Sequence, residues 1–245
     1  MSPTSTRATA LRVLRSLRHD PRTVALLLLV PCLLMGLFRW LFDSAPISFQ
    51  HIGVPLLGIF PLVSMFLVSS ITMLRERRSG TLERLMSMPI HKLDLIGGYA
   101  LAFGMVAVAQ AVLVCLVSTL AFGLDLHGNA AGIVGLAVLN ALLGMALGLF
   151  VSAFANTEFQ AVQFFPAVVI PQLVLCGILG PRDLMAMPLR WLSDALPLTY
   201  AYDSLTRLAG GAAFEGSVVA DVLIVAAFSV GALALGSATL PRRTP

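Results

Sequence analysis

Charge is scarce in this sequence: 11% of its 245 residues are Asp, Glu, Lys or Arg, and Lys92 is the single lysine. Soluble domains carry about 25% charged residues, so the chain lacks the polar surface that would coat a water-soluble fold. Cysteine is also rare. Cys32, Cys115 and Cys176 lie far apart without a CxxC pair, which argues against a disulfide or thiolate-metal framework. The four histidines are scattered and form no HExxH, so no metal ligand set is expected. Lys92 follows His91 rather than a glycine, which excludes a Gly-Lys-Ser/Thr phosphate loop, and no GxSxG is present. What the chain has in excess is apolar side chains, 58% of the total, with a mean hydropathy of +0.92. Its solvent is lipid, and it is an integral membrane protein.

A transmembrane helix needs about 20 mostly apolar residues. Runs of that kind lie at about 24–42, 52–74, 95–123, 130–154, 159–180 and 217–240. The third exceeds one crossing and is expected to tilt or to begin in the interface. The fifth carries Pro166 and Pro171. The expected fold is all-α: a polytopic membrane protein with six transmembrane helices in one domain, 1–245. With the N-terminus inside, Arg7, Arg12, Arg15, Arg18, Arg22, Arg75, Arg77, Arg78, Arg84, Lys92, Arg242 and Arg243 fall on the cytoplasmic side. Arg39, Arg182, Arg190 and Arg207 fall outside. This bias places both termini in the cytoplasm by the positive-inside rule, in a cell (plasma) membrane. The same grouping explains the net charge of +4 through membrane lipid, with no need for nucleic acid. The basic stretch 1–23 is long for a signal leader, and the run after it, interrupted by Pro31, reaches span length before a small-residue cleavage site. The stretch is expected to contain an amphipathic helix at about 5–20. Val13, Leu14 and Leu17 lie on one side and Arg7, Arg15 and Arg18 on the other. An interfacial helix and a plain topology anchor both fit. Arg39 beside Trp40 reads as a side chain reaching the outer headgroups.

Ionisable groups are few inside the spans; Glu158, Asp94 and Asp221 lie at span ends. Proton-driven transport normally needs intramembrane relays, so work by this protein implies energy from another chain. Gln110, Asn140, Gln163 and Gln172 are the polar exceptions, and pathway lining and helix packing explain them equally well. Gly128, Gly132, Gly144 and Gly148 give small-xxx-small spacing for close helix packing. The loop 75–92 carries Arg75-Glu76-Arg77-Arg78, then Gly80 and a helical stripe of Leu82, Leu85 and Met86, with Glu83 and Arg84 facing away, ended by Pro89. A helix for a partner's groove and a solvated basic loop are both open readings.

Glu76, Gly80-Thr81-Leu82-Glu83, Leu85 and Pro89 resemble the cytoplasmic loop of ABC-2 type exporter permeases. A second stretch is similar to the pattern between that family's fifth and sixth spans. It comprises Gly177, Met187-Pro188, Trp191-Leu192, Leu196-Pro197-Leu198-Thr199-Tyr200, Asp203, Leu205 and Arg207. The resemblance covers nearly the whole chain and is nearest to daunorubicin-resistance and nodulation-type permeases, with Cys176 where serine is frequent there. It implies a permease that pairs with a second copy or a related chain and joins cytoplasmic ABC ATPase subunits. ATP and Mg would be bound by those ATPases, with no cofactor and no enzyme activity in this chain. Residues 75–90 would form the coupling helix. Glu76, Glu83 and Arg84 would make its polar contacts and Leu82, Leu85 and Met86 its apolar ones, on the Gly80, Thr81 and Pro89 framework. The segment 181–216 would form short re-entrant helices gating the outer exit, with Arg182, Asp183, Trp191, Asp194, Pro197, Tyr200, Asp203 and Arg207 as gate residues. An amphipathic loop resting on outer headgroups is the alternative. The cargo would be a hydrophobic or amphipathic drug, lipid or glycolipid. A membrane scaffold that recruits a partner and a lipid-modifying enzyme are the rival functions.

Overall fold

The structure is a computed structural model, and it describes residues 3–81, 92–126 and 129–239. Six of its helices are long and apolar enough to cross a membrane. In chain order the described helices are α1 (Pro3–Arg18), α2 (Pro21–Leu41), α3 (Pro46–Arg78), α4 (Lys92–Leu120), α5 (Ala130–Val151) and α6 (Glu158–Leu175). A 3₁₀ turn (Arg182–Leu184), α7 (Met187–Asp194), α8 (Pro197–Ala209) and α9 (Ser217–Ala238) complete the set. The spans are α2 to α6 and α9.

Local chemistry sets most boundaries. Asp20 caps α2, its carboxylate accepting from the Thr23 backbone N–H at 3.2 Å and the Thr23 hydroxyl at 2.6 Å, with Pro21 at the first helical position. Those hydrogen bonds hold the Asp20 carboxyl below the usual carboxylate range. Asn129 and Thr157 cap α5 and α6 in the same way, at 2.9 and 3.1 Å. α3 is longer than the 52–74 run. Pro46 starts it early, and it continues through Arg75–Arg78, so 33 residues make a rod of about 50 Å. A hydropathy window stops at the first arginine, but the backbone does not, because Arg75, Glu76 and Arg77 have partners and Arg78 is exposed. Gly80 then adopts φ +69°, the left-handed conformation that ends a helix. α6 ends at Leu175, short of the expected 180, where Gly177 turns the chain at φ +107°.

α3 and α5 form the centre. In their most apolar windows 67% and 61% of residues are buried, against 17% for α2 and 22% for α6 and α9, which therefore lie outside. α3 touches α2, α4, α5, α6 and α8, and α1 packs on α4. Leu26, Leu29, Leu33 and Leu37 recur on the exposed side of α2, a stripe suited to lipid tails. The α3–α5 contact depends on two glycines. A Cβ on Gly144 would fall on the Leu62 carbonyl, and one on Gly148 would strike Ser69 Oγ and the Phe66 carbonyl. Ser69 Oγ also reaches the Met145 carbonyl at 3.1 Å. The glycine spacing thus serves packing inside one chain, while Gly132 makes room for Phe214 and Gly128 is outside the described residues.

Gly148→Val is expected to push α5 off the α3 backbone and to destabilise the detergent-solubilised protein by at least the ~1–3 kcal/mol typical of overpacking. Gly135→Ala, at a site open to a Cβ, serves as the control and should leave the melting temperature unchanged. Equal melting of both variants would show that α3 and α5 do not meet at these glycines.

Candidate functional site

The end of α3 carries Arg75, Glu76 and Arg77 in succession. Successive residues on a helix diverge by about 100°, so the three side chains reach different neighbours. Arg75 donates to Glu158, at the start of α6, through Nε at 2.9 Å and Nη2 at 3.0 Å. Its Nη1 lies 3.9 Å from Asp20 between α1 and α2. Glu76 accepts both of its hydrogen bonds, each 3.1 Å, from Nη1 of Arg12 on α1. Nη2 of Arg12 donates to the Tyr99 hydroxyl of α4 at 2.5 Å. Arg77 donates to the Ser152 carbonyl, just past the end of α5, at 2.8 Å. Five elements converge on one turn of helix.

Among the ion-paired members Glu76 is the least exposed, its side chain 12% exposed, and it lies against the buried Tyr99. Burial opposes the Arg12 charge, but Tyr99 and Glu76 outweigh it and hold the guanidinium above its ordinary pKa. Backbone geometry makes this approach possible. Thr9 of α1 sits against Gly98 of α4, where a Cβ would meet its side chain at 2.5 Å. In α1 burial follows the expectation, with Val13 and Leu17 buried, Leu14 half-buried, and Arg7, Arg15 and Arg18 exposed. Arg7 and Arg18, two turns before and one turn after Leu14, nevertheless lie on its side of the helix rather than across from it. Sequence reasoning missed Arg12. Its signal was the one arginine of α1 close to the Thr9 edge of the buried stripe, about 60° away at 100° per residue.

A second cluster follows α6. Arg182 Nη1 donates to Asp203 at 2.8 Å, and its Nη2 forms an ion pair with Asp194. The Tyr200 hydroxyl donates to the Asp194 carbonyl at 2.5 Å. Ser193 Oγ donates to the Leu175 carbonyl at 2.8 Å, and Thr199 Oγ1 donates to the Ser193 carbonyl at 2.8 Å. Pro197 starts α8 and is buried. The other expected residues stand apart. Asp183 pairs with Arg190 at 3.3 Å, Arg207 with Asp221 of α9 at 3.2 Å, and Trp191 projects from α7, 66% exposed. Ser193 was not foreseen, Thr199 entered only as part of the family pattern and Asp221 only as an acid at a span end; small hydroxyls at a chain turn carry no distinctive spacing.

The fully buried face of α8 presents Leu198, Ala201, Leu205 and Leu208 to α3, α5 and α9. Leu205 and Asn140 meet at Gly58 of α3. Residues 4–208 match the sequence pattern described as ABC-2 type transporter, more than half of the chain. The chain belongs to the ABC-2 type transporter family. It is 27% identical over 169 residues to the linearmycin resistance permease protein LnrN of Bacillus subtilis, covering 67% of this chain and 43% of that one. It is 26% identical over 194 residues to the probable multidrug ABC transporter permease YbhS of Escherichia coli, covering 78% and 51%. It is 27% identical over 138 residues to ABC transporter G family member 20 of Dictyostelium discoideum, covering 56% and 19%. The chain thus spans about half or less of the length of these curated relatives.

In this ABC-2 chain the root of the loop is described through Glu76, Gly80 and Thr81. Leu82, Glu83, Arg84, Leu85, Met86 and Pro89 lie outside the described residues. The four span amides are not brought together. Gln110 donates to the Leu27 carbonyl at 2.9 Å, linking α4 to α2, and Gln172 donates to Val168 within α6. Gln163 is exposed, and Asn140 is buried at the α3–α5–α8 junction. Arg39 pairs with Asp43 at 3.0 Å and lies 5.8 Å from the centre of the Phe49 ring, folding back onto its own chain.

A double-mutant cycle on Arg12→Ala and Glu76→Ala should give a coupling energy of about 1–3 kcal/mol, because each single change leaves a partly buried charge unpaired. Hydrogen exchange in α1 should rise in Arg12→Ala. Arg182→Ala should leave α1 unaffected and increase proteolysis between α6 and α8, since it removes the cation shared by Asp194 and Asp203. A coupling energy near zero, or unchanged cleavage, would show that these clusters do not hold their helices.

Proposed function

We propose that this chain is the membrane-spanning permease subunit of an ATP-binding-cassette exporter. It moves a hydrophobic or amphipathic substrate outward with ATP hydrolysed by separate cytoplasmic ATPase subunits, and it works beside a second permease copy or a related chain. Both termini face the cytoplasm. The observation that carries the reading is the family match over residues 4–208, joined to a charged hub at the root of the loop where the family resemblance expects the ATPase to dock. The substrate class draws on relatives named for multidrug transport and for resistance to linearmycin.

In this reading Leu82, Leu85 and Met86 seat the coupling helix in an apolar groove of the ATPase, and Glu83 and Arg84 fix its register. Glu76 does not reach the ATPase itself. Its carboxylate is occupied by Arg12, so it ties the base of the lever to α1 and, through Arg12, to α4. Motion of the lever then passes into α3 as a rigid rod. Just past the midpoint of that rod, α8 leans on α3 at Gly58. About 17 residues separate Gly58 from Arg75, or about 25 Å of helix. A hydrocarbon core is about 30 Å thick, so this contact supports segment 181–216 dipping into the membrane from outside as a gate. The exposed Leu184, Met187, Trp191 and Leu192 give that segment an apolar side suited to the interface.

Glu83→Arg is expected to lower ATP-linked export severalfold in vesicles while membrane insertion and the yield of folded permease stay unchanged. The same substitution should weaken co-purification of the ATPase. Wild-type export and co-purification in that variant would remove the coupling role of the loop.

A further inference from the structure

A groove of about 280 Å³ lies between α1, α2, α3 and α4. Its wall is apolar: Leu14 and Leu17 of α1, Val24 and Leu28 of α2, Val68 of α3 and Met105 of α4 line it. Met105 and its neighbour in the wall, Ala109, are exposed, so the groove opens sideways toward lipid. Its depth can be read from the helices. Asp20, Arg75 and Glu158 form a charged layer. Val68 lies two turns of α3 from Arg75, and Leu28 a similar distance along α2 from Asp20, so the groove reaches about 10 Å beyond that layer. This is the first third of a core about 30 Å thick, where the upper methylenes of a phospholipid lie.

Two exposed arginines flank wall residues in the chain. Arg18 follows Leu14 by one turn on the same side of α1, and Arg22 precedes the wall residue Thr23. Both are exposed, and among the described residues neither has a carboxylate within ion-pair distance. Asp20, the acid between them, is engaged by Thr23 and Arg75. An apolar slot of acyl depth, with two exposed arginines beside its wall residues in the chain, matches one amphiphile in both shape and sign.

We propose that this groove holds one acyl chain of an anionic phospholipid from the leaflet bordering α1, with the lipid phosphate between Arg18 and Arg22. The volume is at the lower limit for pockets that enclose a drug-sized molecule, so one chain is the occupant it fits. Guanidinium groups match phosphate oxygens in fork geometry, and polybasic juxtamembrane segments attract anionic headgroups. The lipid would fill the space between α1 and the spans and brace the helix that carries Arg12. This inference does not depend on transport, and its failure would leave the exporter reading intact.

The full chain in nanodiscs, doped with either phosphatidylglycerol or phosphatidylcholine bearing a photoactivatable group on an upper acyl methylene, tests the site. Phosphatidylglycerol should label peptides containing Leu28 and Met105 severalfold more than phosphatidylcholine. Arg18→Gln with Arg22→Gln should reduce phosphatidylglycerol labelling to the phosphatidylcholine level. Ala109→Trp should block labelling by both while the elution profile of the protein is unchanged. Equal labelling by the two lipids would reduce the groove to unselective lipid contact. Absence of label at Met105 would mean that protein covers it, and retained selectivity in the double glutamine variant would remove the arginines from the site. Each of these three results overturns the proposal.

Discussion

A charged side chain on a helix leaving hydrocarbon must either reach water or meet an opposite charge, and α3 sets four such residues, Arg75, Glu76, Arg77 and Arg78, on its last turn. At the centre of a membrane each charge costs about 2.5–3.5 kcal/mol on insertion scales, and the cost falls toward the interface. Arg75 and Glu158 are each about half exposed, so their pair contributes at most about 1 kcal/mol. Glu76 differs because little of it is exposed and both of its oxygens are spent on one guanidinium. Losing that partner costs far more than losing the Arg75 pair. The hub therefore has an order: Arg12 and Glu76 decide whether α1 stays docked, and Arg75 and Arg77 align α6 and α5 around a position already fixed.

Packing above the hub obeys a different rule. Lipid tails are as apolar as leucine, so burying leucine against leucine gives helices little reason to associate in a bilayer. Close backbone contact and hydrogen bonds supply the reason, and α3 and α5 use both, with Gly144 and Gly148 against backbone carbonyls and Ser69 reaching Met145. Gly98 gives α1 the same access to α4. Residues without a Cβ thus hold the central pair in the membrane and seat the helix that brings Arg12 to Glu76. Packing and charge are two parts of one arrangement, since α1 cannot present Arg12 unless Thr9 fits at Gly98.

The six crossings were legible because composition in lipid is nearly sufficient: an apolar run of span length has few other fates. The helix ends were less legible. α3 runs four residues past the apolar run because Arg75, Glu76 and Arg77 are satisfied by residues 64 to 83 positions away in sequence, and no local window contains them. α6 stops early because Gly177 turns under Tyr202, a contact with a helix not yet reached in the chain. Family resemblance pointed to Glu76 and to the Arg182–Asp203 region, but not to their partners. Arg12 reads as one more basic residue of a cytoplasmic leader, and only the packing of α1 on α4 turns it inward. Tyr99 reads as an apolar span residue. Resemblance names positions; the partner of each position is a property of the tertiary fold.

The two charge clusters differ in what they hold, and the difference bears on how a permease of this build would work. The hub at the end of α3 joins α1, α3, α4, α5 and α6, so displacing the root of the loop must carry most of the bundle with it. The Arg182 cluster is local. Arg182 bridges Asp194 and Asp203 within one stretch of chain, and Arg207 ties α8 to the start of α9. Segment 181–216 meets the central pair through the apolar face of α8, at Gly58 and Asn140, and through Phe214 at Gly132; the Asn140 amide has no hydrogen-bond partner among the described residues. An unpaired buried amide costs about 1–3 kcal/mol, which makes this junction the least satisfied polar point in the core described here. A load applied at the hub would therefore move α3 and α5 as a unit and be taken up where α8 meets them. In the exporter reading, that places the soft joint at the outer gate and the stiff one at the ATPase, the order needed for a distant engine to open an exit.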